Sequence, residues 1–279
     1  MVVGGHGRFV WYGLMTTEVK AAQAFYAEVV GWEMQDVPSP DVPFVLFGAG
    51  RSAIGGLMSL TPEARRMGAL PTWIGYVEVD DVDATARRVA QLGGVVRVPP
   101  TDIPGVSRFS LITDPDMAAL ALIKWEQPEQ QPPRKLDQAG NVGWHELLTA
   151  DAGKAFAFYR ELFNWERADA IRDSIGTYQL FAVGGQTIGG MCGRPASVPA
   201  SVWLYYFNVG DIDTATAQVK GGGGEVLEGP VEVLRDRWVA RCLDSRGAMF
   251  ALQGSRSRKS PGYFEGATTQ DPTRRRWAW

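Results

Sequence analysis

The sequence predicts an α+β protein built from two tandem domains, each a pair of βαβββ modules, and three observations carry that prediction. The stretch WHELLTADAGKAFAFYRELFNW, Trp144 to Trp165, restates WYGLMTTEVKAAQAFYAEVVGW, Trp11 to Trp32. Further landmarks recur at a nearly constant offset: Phe25-Tyr26 with Phe158-Tyr159 (133), Gly55-Gly56 with Gly189-Gly190 (134), Trp73 with Trp203 (130) and Asp114 with Asp244 (130). Within each copy the succession of a strand, a helix and three strands starts twice, so a unit of about 120 residues is duplicated and also internally double.

In the first copy an alternating run from Phe9 to Met15 predicts a strand. It leads into a helix whose apolar positions Ala22, Phe25, Tyr26 and Val29 form the i, i+3, i+4, i+7 stripe of a helix lying on a sheet. Strand-like runs follow near 32–36, 43–48 and 52–58. The next module opens with a strand from Thr72 to Val79, a cap-like DDVD, and a helix carrying Val82, Ala86, Val89 and Leu92 that stops at Gly93-Gly94. Strands near 95–98, 106–113 and 118–125 complete it. The second copy repeats the pattern, with Ala155, Phe158, Tyr159 and Leu162 in its first helix and a later helix, Ile212 to Lys220, stopped by GGGG. Between the copies Glu126 to Asn141, EQPEQQPPRKLDQAGN, is polar, Pro-rich and without apolar periodicity, which predicts an exposed linker. The predicted domains are 6–125 and 142–254, with a basic and aromatic tail over 255–279.

Composition places the chain among globular proteins: 279 residues, 45% hydrophobic, 21% charged, net charge −3. That charge argues against a general nucleic-acid binder. No apolar run of about 18 residues and no signal-like N-terminus is present, so neither a membrane partner nor export is predicted, and a cytoplasmic location is the default. Cys192 and Cys242 sit in strand-like segments without metal-ligand spacing, which favours reduced thiols over a disulfide. GGGG at 221–224 follows a helix instead of opening one, so it cradles no phosphate.

The first strand, the run AxxFYxxx(V/L)xxGW, the run VDDVDATARRVAQLGG and the run DPDMAALAL together resemble the vicinal oxygen chelate superfamily, the glyoxalase, bleomycin-resistance and dioxygenase proteins. The resemblance covers both domains. It is closest to tandem glyoxalase-like proteins of bacteria, including a mycobacterial culture-filtrate antigen subgroup. It implies two glyoxalase-like domains, each an incomplete barrel of two βαβββ modules with the ligand on the concave face. It also implies that one chain supplies by itself the pair that single-domain relatives make by association, so a monomeric pseudo-dimer, or a homodimer, is the expected state.

Enzymes of the superfamily hold a divalent metal with His, Gln or Glu side chains on that face. The corresponding places here carry Trp11, Trp73 and Ala121 in domain one, and Trp144, Trp203 and Ala251 in domain two. Tryptophan offers only an N–H donor and alanine nothing, so no metal and no other cofactor is predicted. A register shift of one residue would bring His145 into place in one domain only, and alternation puts it on the face opposite Trp144.

With no metal, the predicted cups are lined by Trp11, Gly13, Trp73 and Gly75 in domain one and by Trp144, Glu146, Trp203 and Tyr205 in domain two. Either these aromatics simply pack a core, or they stack on a flat or apolar small-molecule ligand. Glu146, walled by aromatics, is the candidate acid or base. Alternatively it is satisfied by a strand-edge amide or by Arg241, itself a candidate ligand-binding residue. Asp114 and Asp244 are read as turn formers, and the acids of DDVD and GDID as helix caps. Three functions stay open, the first preferred: a metal-independent small-molecule binder; a glyoxalase, lyase or dioxygenase-like enzyme with a non-standard site; and an interaction module whose surface or tail does the work.

Overall fold

The computed structural model describes residues 5–38, 44–50, 52–128, 135–173, 176–196, 198–234 and 236–257. Most of the predicted tail, from 258 onward, and residues 129–134 of the predicted linker lie outside them. Domain one runs β1 (Phe9–Thr16), α1 (Val19–Val30), β2 (Glu33–Val37), β3 (Phe44–Ala49), β4 (Ser52–Ser59), α2 (Pro62–Arg66), β5 (Thr72–Glu78), α3 (Val82–Gln91), β6 (Val95–Ile103), β7 (Ser107–Thr113) and β8 (Ala119–Trp125). Domain two runs β9 (Val142–Thr149), α4 (Ala152–Phe163), β10 (Glu166–Asp173), β11 (Gly176–Val183), β12 (Gln186–Gly193), β13 (Val202–Asp211), α5 (Ile212–Gly221), β14 (Glu225–Leu234), β15 (Arg237–Leu243) and β16 (Met249–Ser255).

Local chemistry explains most boundaries. Asp81, Asp151 and Asp211 cap α3, α4 and α5, each side chain accepting the amide three residues on (Ala84, Lys154 and Thr214). At α1 the equivalent Glu18 makes no cap bond and instead meets Arg246 at 2.8 Å. α1 ends on Gly31 and α4 on Asn164, both left-handed, with φ of 79° and 54°. The short helix α2 is not in the sequence prediction, although Thr61 accepts the Ala64 amide and Pro62 follows it at the first turn. The glycines after α3 and α5 do more than stop a helix. A Cβ at Gly94 would fall 3.0 Å from the Phe158 ring, and one at Gly222 would fall 2.8 Å from Phe25, so each small residue seats an aromatic ring of the other domain.

Each domain is one open eight-stranded sheet, in the order β2-β3-β4-β1-β5-β8-β7-β6 and β10-β11-β12-β9-β13-β16-β15-β14. Antiparallel pairing of β1 with β5, and of β9 with β13, joins the two modules of each domain at the centre. The sheets turn their inner faces to each other, and a single cluster of buried residues runs through both domains. Paired contacts repeat across this boundary. Trp73 Nε1 donates to Tyr26 Oη (2.9 Å), which donates to Asp244 (3.1 Å), while Trp203 Nε1 donates to Tyr159 Oη (3.0 Å), which donates to Asp114 (3.0 Å). Trp32 Nε1 donates to the Gly140 carbonyl at 2.6 Å, and Trp165 Nε1 to the Gly7 carbonyl at 2.7 Å. Residues 135–141 are tied to domain two, since Asn208 Nδ2 donates to the Leu136 and Gln138 carbonyls at 2.8 Å each. Among the described residues no helix is long and apolar enough to cross a membrane.

Candidate ligand sites on the outer sheet faces

Strand register decides which side chains share a face. In domain one Trp11 lies across from Tyr76 and Gly13 from Ile74, with Tyr12 opposite Gly75 and Leu14 opposite Trp73 between them. In domain two Trp144 pairs with Tyr206 and Glu146 with Leu204, while His145 pairs with Tyr205 and Leu147 with Trp203. The outer faces therefore carry Trp11, Gly13, Tyr76, Trp144, Glu146 and Tyr206. Trp73, Gly75, Trp203 and Tyr205 lie on the inner faces, which corrects the predicted cups. Alternation fixes the faces within a strand, but the phase between β1 and β5 is set by pairing, and one residue of slip exchanges the faces.

The inner-face residues have structural duties. Trp73 and Trp203 are each 2% exposed and belong to the relays already described. The space at Gly75 is filled by Tyr205, whose hydroxyl accepts the Gly75 amide at 2.6 Å and whose ring would stand 2.7 Å from an added Cβ. His145 lies on the face opposite Trp144, as alternation predicted, and is buried there with its ring stacked 4.0 Å from Phe9. Its Nδ1 lies 2.8 Å from the Ile188 carbonyl and its Nε2 2.7 Å from Tyr12 Oη. A carbonyl only accepts, so this pair assigns the neutral tautomer with the proton on Nδ1 and Tyr12 donating to Nε2. Burial pushes the imidazole down to about 4. Asp114 and Asp244 are turn formers, each accepting two backbone amides, and each also receives a tyrosine hydroxyl from the other domain. Burial raises both carboxyls above their ordinary range.

The outer face of domain two gathers a polar cluster inside apolar walls. Glu146 is fully buried, and its Oε2 accepts Tyr206 Oη at 2.8 Å and Arg241 Nη2 at 2.8 Å. Arg241 also meets Glu228 at 2.8 Å. Burial works against the charge of Arg241, yet Glu146 holds the guanidinium above its ordinary value. The second carboxylate oxygen, Oε1, is buried without a hydrogen-bond partner. Trp144 Nε1 donates to Tyr178 Oη at 2.8 Å, and the Tyr178 ring lies over Gly190, the residue paired with Glu146. Leu204, Tyr206 and Ala251 form a separate buried cluster here, with Trp144, Val239 and Met249 packed on it. An open groove of about 220 Å³ between Asn208, Arg237 and Gln253 adjoins this face.

Domain one places other residues at the same ladder positions. Gly13 stands where Glu146 does, Phe44 where Tyr178 does and Leu111 where Arg241 does. Trp11 leans edge-on against Trp125 at 5.8 Å, and Tyr76 lies beside Gly13, its phenol pushed up to about 12 by burial. Glu146 and Arg241 were legible as candidates from sequence. Tyr206 and Tyr178 were missed, and the 134-residue offset from Phe44 to Tyr178 is the signal that could have found the latter.

Metal donors are poorly matched to these faces. Trp11, Trp144, Ala121 and Ala251 supply no cation ligand, His145 is on the inner side, and Glu146 has a guanidinium at 2.8 Å where a metal would need an open carboxylate. Among the described residues no three His, Cys, Asp or Glu side chains converge. The residues present do not fit a divalent metal.

Two sheets of paired βαβββ modules define a class, and the chain belongs to it: the family model of the glyoxalase/bleomycin resistance protein/dioxygenase superfamily matches residues 8–122 and again 141–252. CFP32 of Mycobacterium tuberculosis (strain CDC 1551 / Oshkosh), provisionally named a glyoxylase, is 31% identical over 244 residues, 87% of this chain and 92% of that protein. The anthracycline biosynthesis protein DauV of Streptomyces sp. (strain C5) is 30% identical over 260 residues, 88% and 92% of the two chains. Among solved structures, the Mn(II)-bound glyoxalase from Novosphingobium aromaticivorans superposes with TM-score 0.59 at 14% identity, covering 89% of this chain and 82% of that one. The 2,2',3-trihydroxybiphenyl 1,2-dioxygenase of Sphingomonas wittichii strain RW1 gives 0.63 at 13% identity, covering 90% and 91%. At these identities the likeness is one of fold.

Proposed function

We propose that this protein binds a flat, largely apolar aromatic molecule without a metal, on the outer face of domain two. The observation that carries the reading is the half-paired Glu146 carboxylate set among Trp144, Tyr178, Leu204 and Tyr206. A mostly apolar wall with a few fixed polar groups is how small-molecule sites are generally built. Arg241 and Tyr206, each at 2.8 Å from Oε2, hold Glu146 in place as a hydrogen-bond anchor. Relatives named for anthracycline biosynthesis point in the same direction, toward fused aromatic rings. The inner faces pair within one chain, which supports a monomer as the working unit.

The test combines two measurements on protein purified without a metal-affinity step. Elemental mass spectrometry should find no stoichiometric divalent metal, and titration with fused-ring aromatics should give saturable quenching of tryptophan fluorescence that weakens in Trp144→Phe. One tightly held metal per chain, or no saturable binding across the panel, would overturn the reading.

A further inference from the structure

Glu146 is an asymmetric anchor. Its Oε2 carries two donors at 2.8 Å, whereas Oε1, equally buried, carries none. A buried carboxylate oxygen left without a donor is costly, more so than a neutral group, because the charge resides on both oxygens and neither water nor protein compensates the second. The carboxylate cannot relieve this by turning. Tyr206 comes from the paired strand β13, and Arg241 from β15 is itself held by Glu228 at 2.8 Å, so Oε2 is fixed from two sides. Gly190 beside Glu146 supplies no side chain, and the ring lying over it belongs to Tyr178, whose hydroxyl accepts from Trp144.

From this geometry we infer that the ligand of the domain-two face is a hydroxylated flat aromatic whose free hydroxyl donates to Glu146 Oε1, so that Glu146 is the specificity-determining residue. The inference rests on the binding reading above and names the substrate class within it. A neutral hydroxyl suits the position better than an ammonium: Arg241 already balances the Glu146 charge, and a second cation would be desolvated beside the first. A hydroxyl donates one hydrogen bond, matching the one acceptor left, and its ring is received by the Trp144 and Tyr178 rings. An ether or a bare hydrocarbon of the same shape brings no donor and leaves Oε1 as it is. A hydrogen bond to a charged acceptor is worth about 1.5–3 kcal/mol, so discrimination on the order of tenfold to a hundredfold follows.

The experiment titrates the intact protein with 2-naphthol and with 2-methoxynaphthalene, which share shape and ring but not the donor, and repeats both with Glu146→Gln. The wild type should bind 2-naphthol at least about tenfold more tightly. In Glu146→Gln, whose amide can accept from Arg241 while turning its NH2 to the former Oε1 position, the preference should vanish or reverse. Equal affinities in the wild type, or a naphthol preference that survives Glu146→Gln in a protein with an unchanged melting curve, would overturn the inference and leave the binding reading standing. Failure of both probes to bind would remove the two together.

Discussion

Where domain two carries Glu146, Tyr178 and Arg241 on its outer face, domain one carries Gly13, Phe44 and Leu111, although the ladders beneath them are the same. The inner faces diverged far less. Trp73, Tyr26 and Asp244 repeat as Trp203, Tyr159 and Asp114, and Trp32 repeats as Trp165. Each of these relays crosses from one domain to the other, so a change in one copy would strand a buried donor or acceptor in its partner. An outer face answers to nothing across the boundary and can drift alone. Near the pseudo-twofold axis the copies differ by necessity. Tyr12 meets its own counterpart His145, and Gly75 meets its counterpart Tyr205. Two identical tyrosines could not both occupy the Gly75–Tyr205 space, so this pair exists only because both halves are in one chain.

Four measurements break or sharpen this comparison. The largest effect should come from Arg241→Leu, which copies domain one at a single position and leaves a fully buried carboxylate without its counter-ion. Chemical denaturation should show a loss of about 3–5 kcal/mol, whereas Glu146→Leu combined with Arg241→Leu should be close to neutral. If the double variant is as unstable as the single one, the outer face of domain two is not equivalent to that of domain one.

The second is a pH dependence. The His145 imidazole titrates near 6.5 when unfolded and about 4 in the fold, so its contribution is complete above pH 6.5 and is lost as pH falls toward 4, by about 3 kcal/mol. Asp114 and Asp244, whose carboxyls are raised by burial, act in the opposite sense, since their protonation becomes easier in the fold. The difference between wild type and His145→Phe with Tyr12→Phe isolates the histidine. A difference that does not change between pH 7 and 4.5 would contradict the neutral His145 bridge.

Next in size is a pair of glycine substitutions. Gly75→Ala puts a Cβ 2.7 Å from Tyr205 and 2.8 Å from Phe9, both buried, and should cost about 1–3 kcal/mol. Gly13→Ala meets only the Tyr76 ring, at 3.2 Å on the outer face, and should cost much less. Equal melting temperatures for the two variants would argue against the assignment of faces. The smallest effect on binding should come from Trp203→Phe, which removes a buried indole and its hydrogen bond to Tyr159 and so costs stability at the domain boundary. It should leave aromatic binding unchanged, in contrast to Trp144→Phe.

Much of the fold was open to reading from the sequence because its signals are local. The stripe Ala22, Phe25, Tyr26 and Val29, the acids before α3 and α5, and the turn aspartates act over a few residues, and the structure uses each in that way. The duplication is likewise a property of the chain itself, whereas Arg241 was only one of the partners open to Glu146, and strand pairing brings the two together across 95 residues. What tertiary structure alone decided was the phase between strands far apart in sequence. Trp73 and Trp203 alternate correctly within β5 and β13, but hydrogen-bond register with β1 and β9 sends them inward to the domain boundary, and brings Tyr206 outward in place of Tyr205. The same pairing explains why Gly75, an apparent vacancy for a ligand, is filled by the other half of the molecule: side-chain direction is local, whereas occupancy of space depends on every element folded against it.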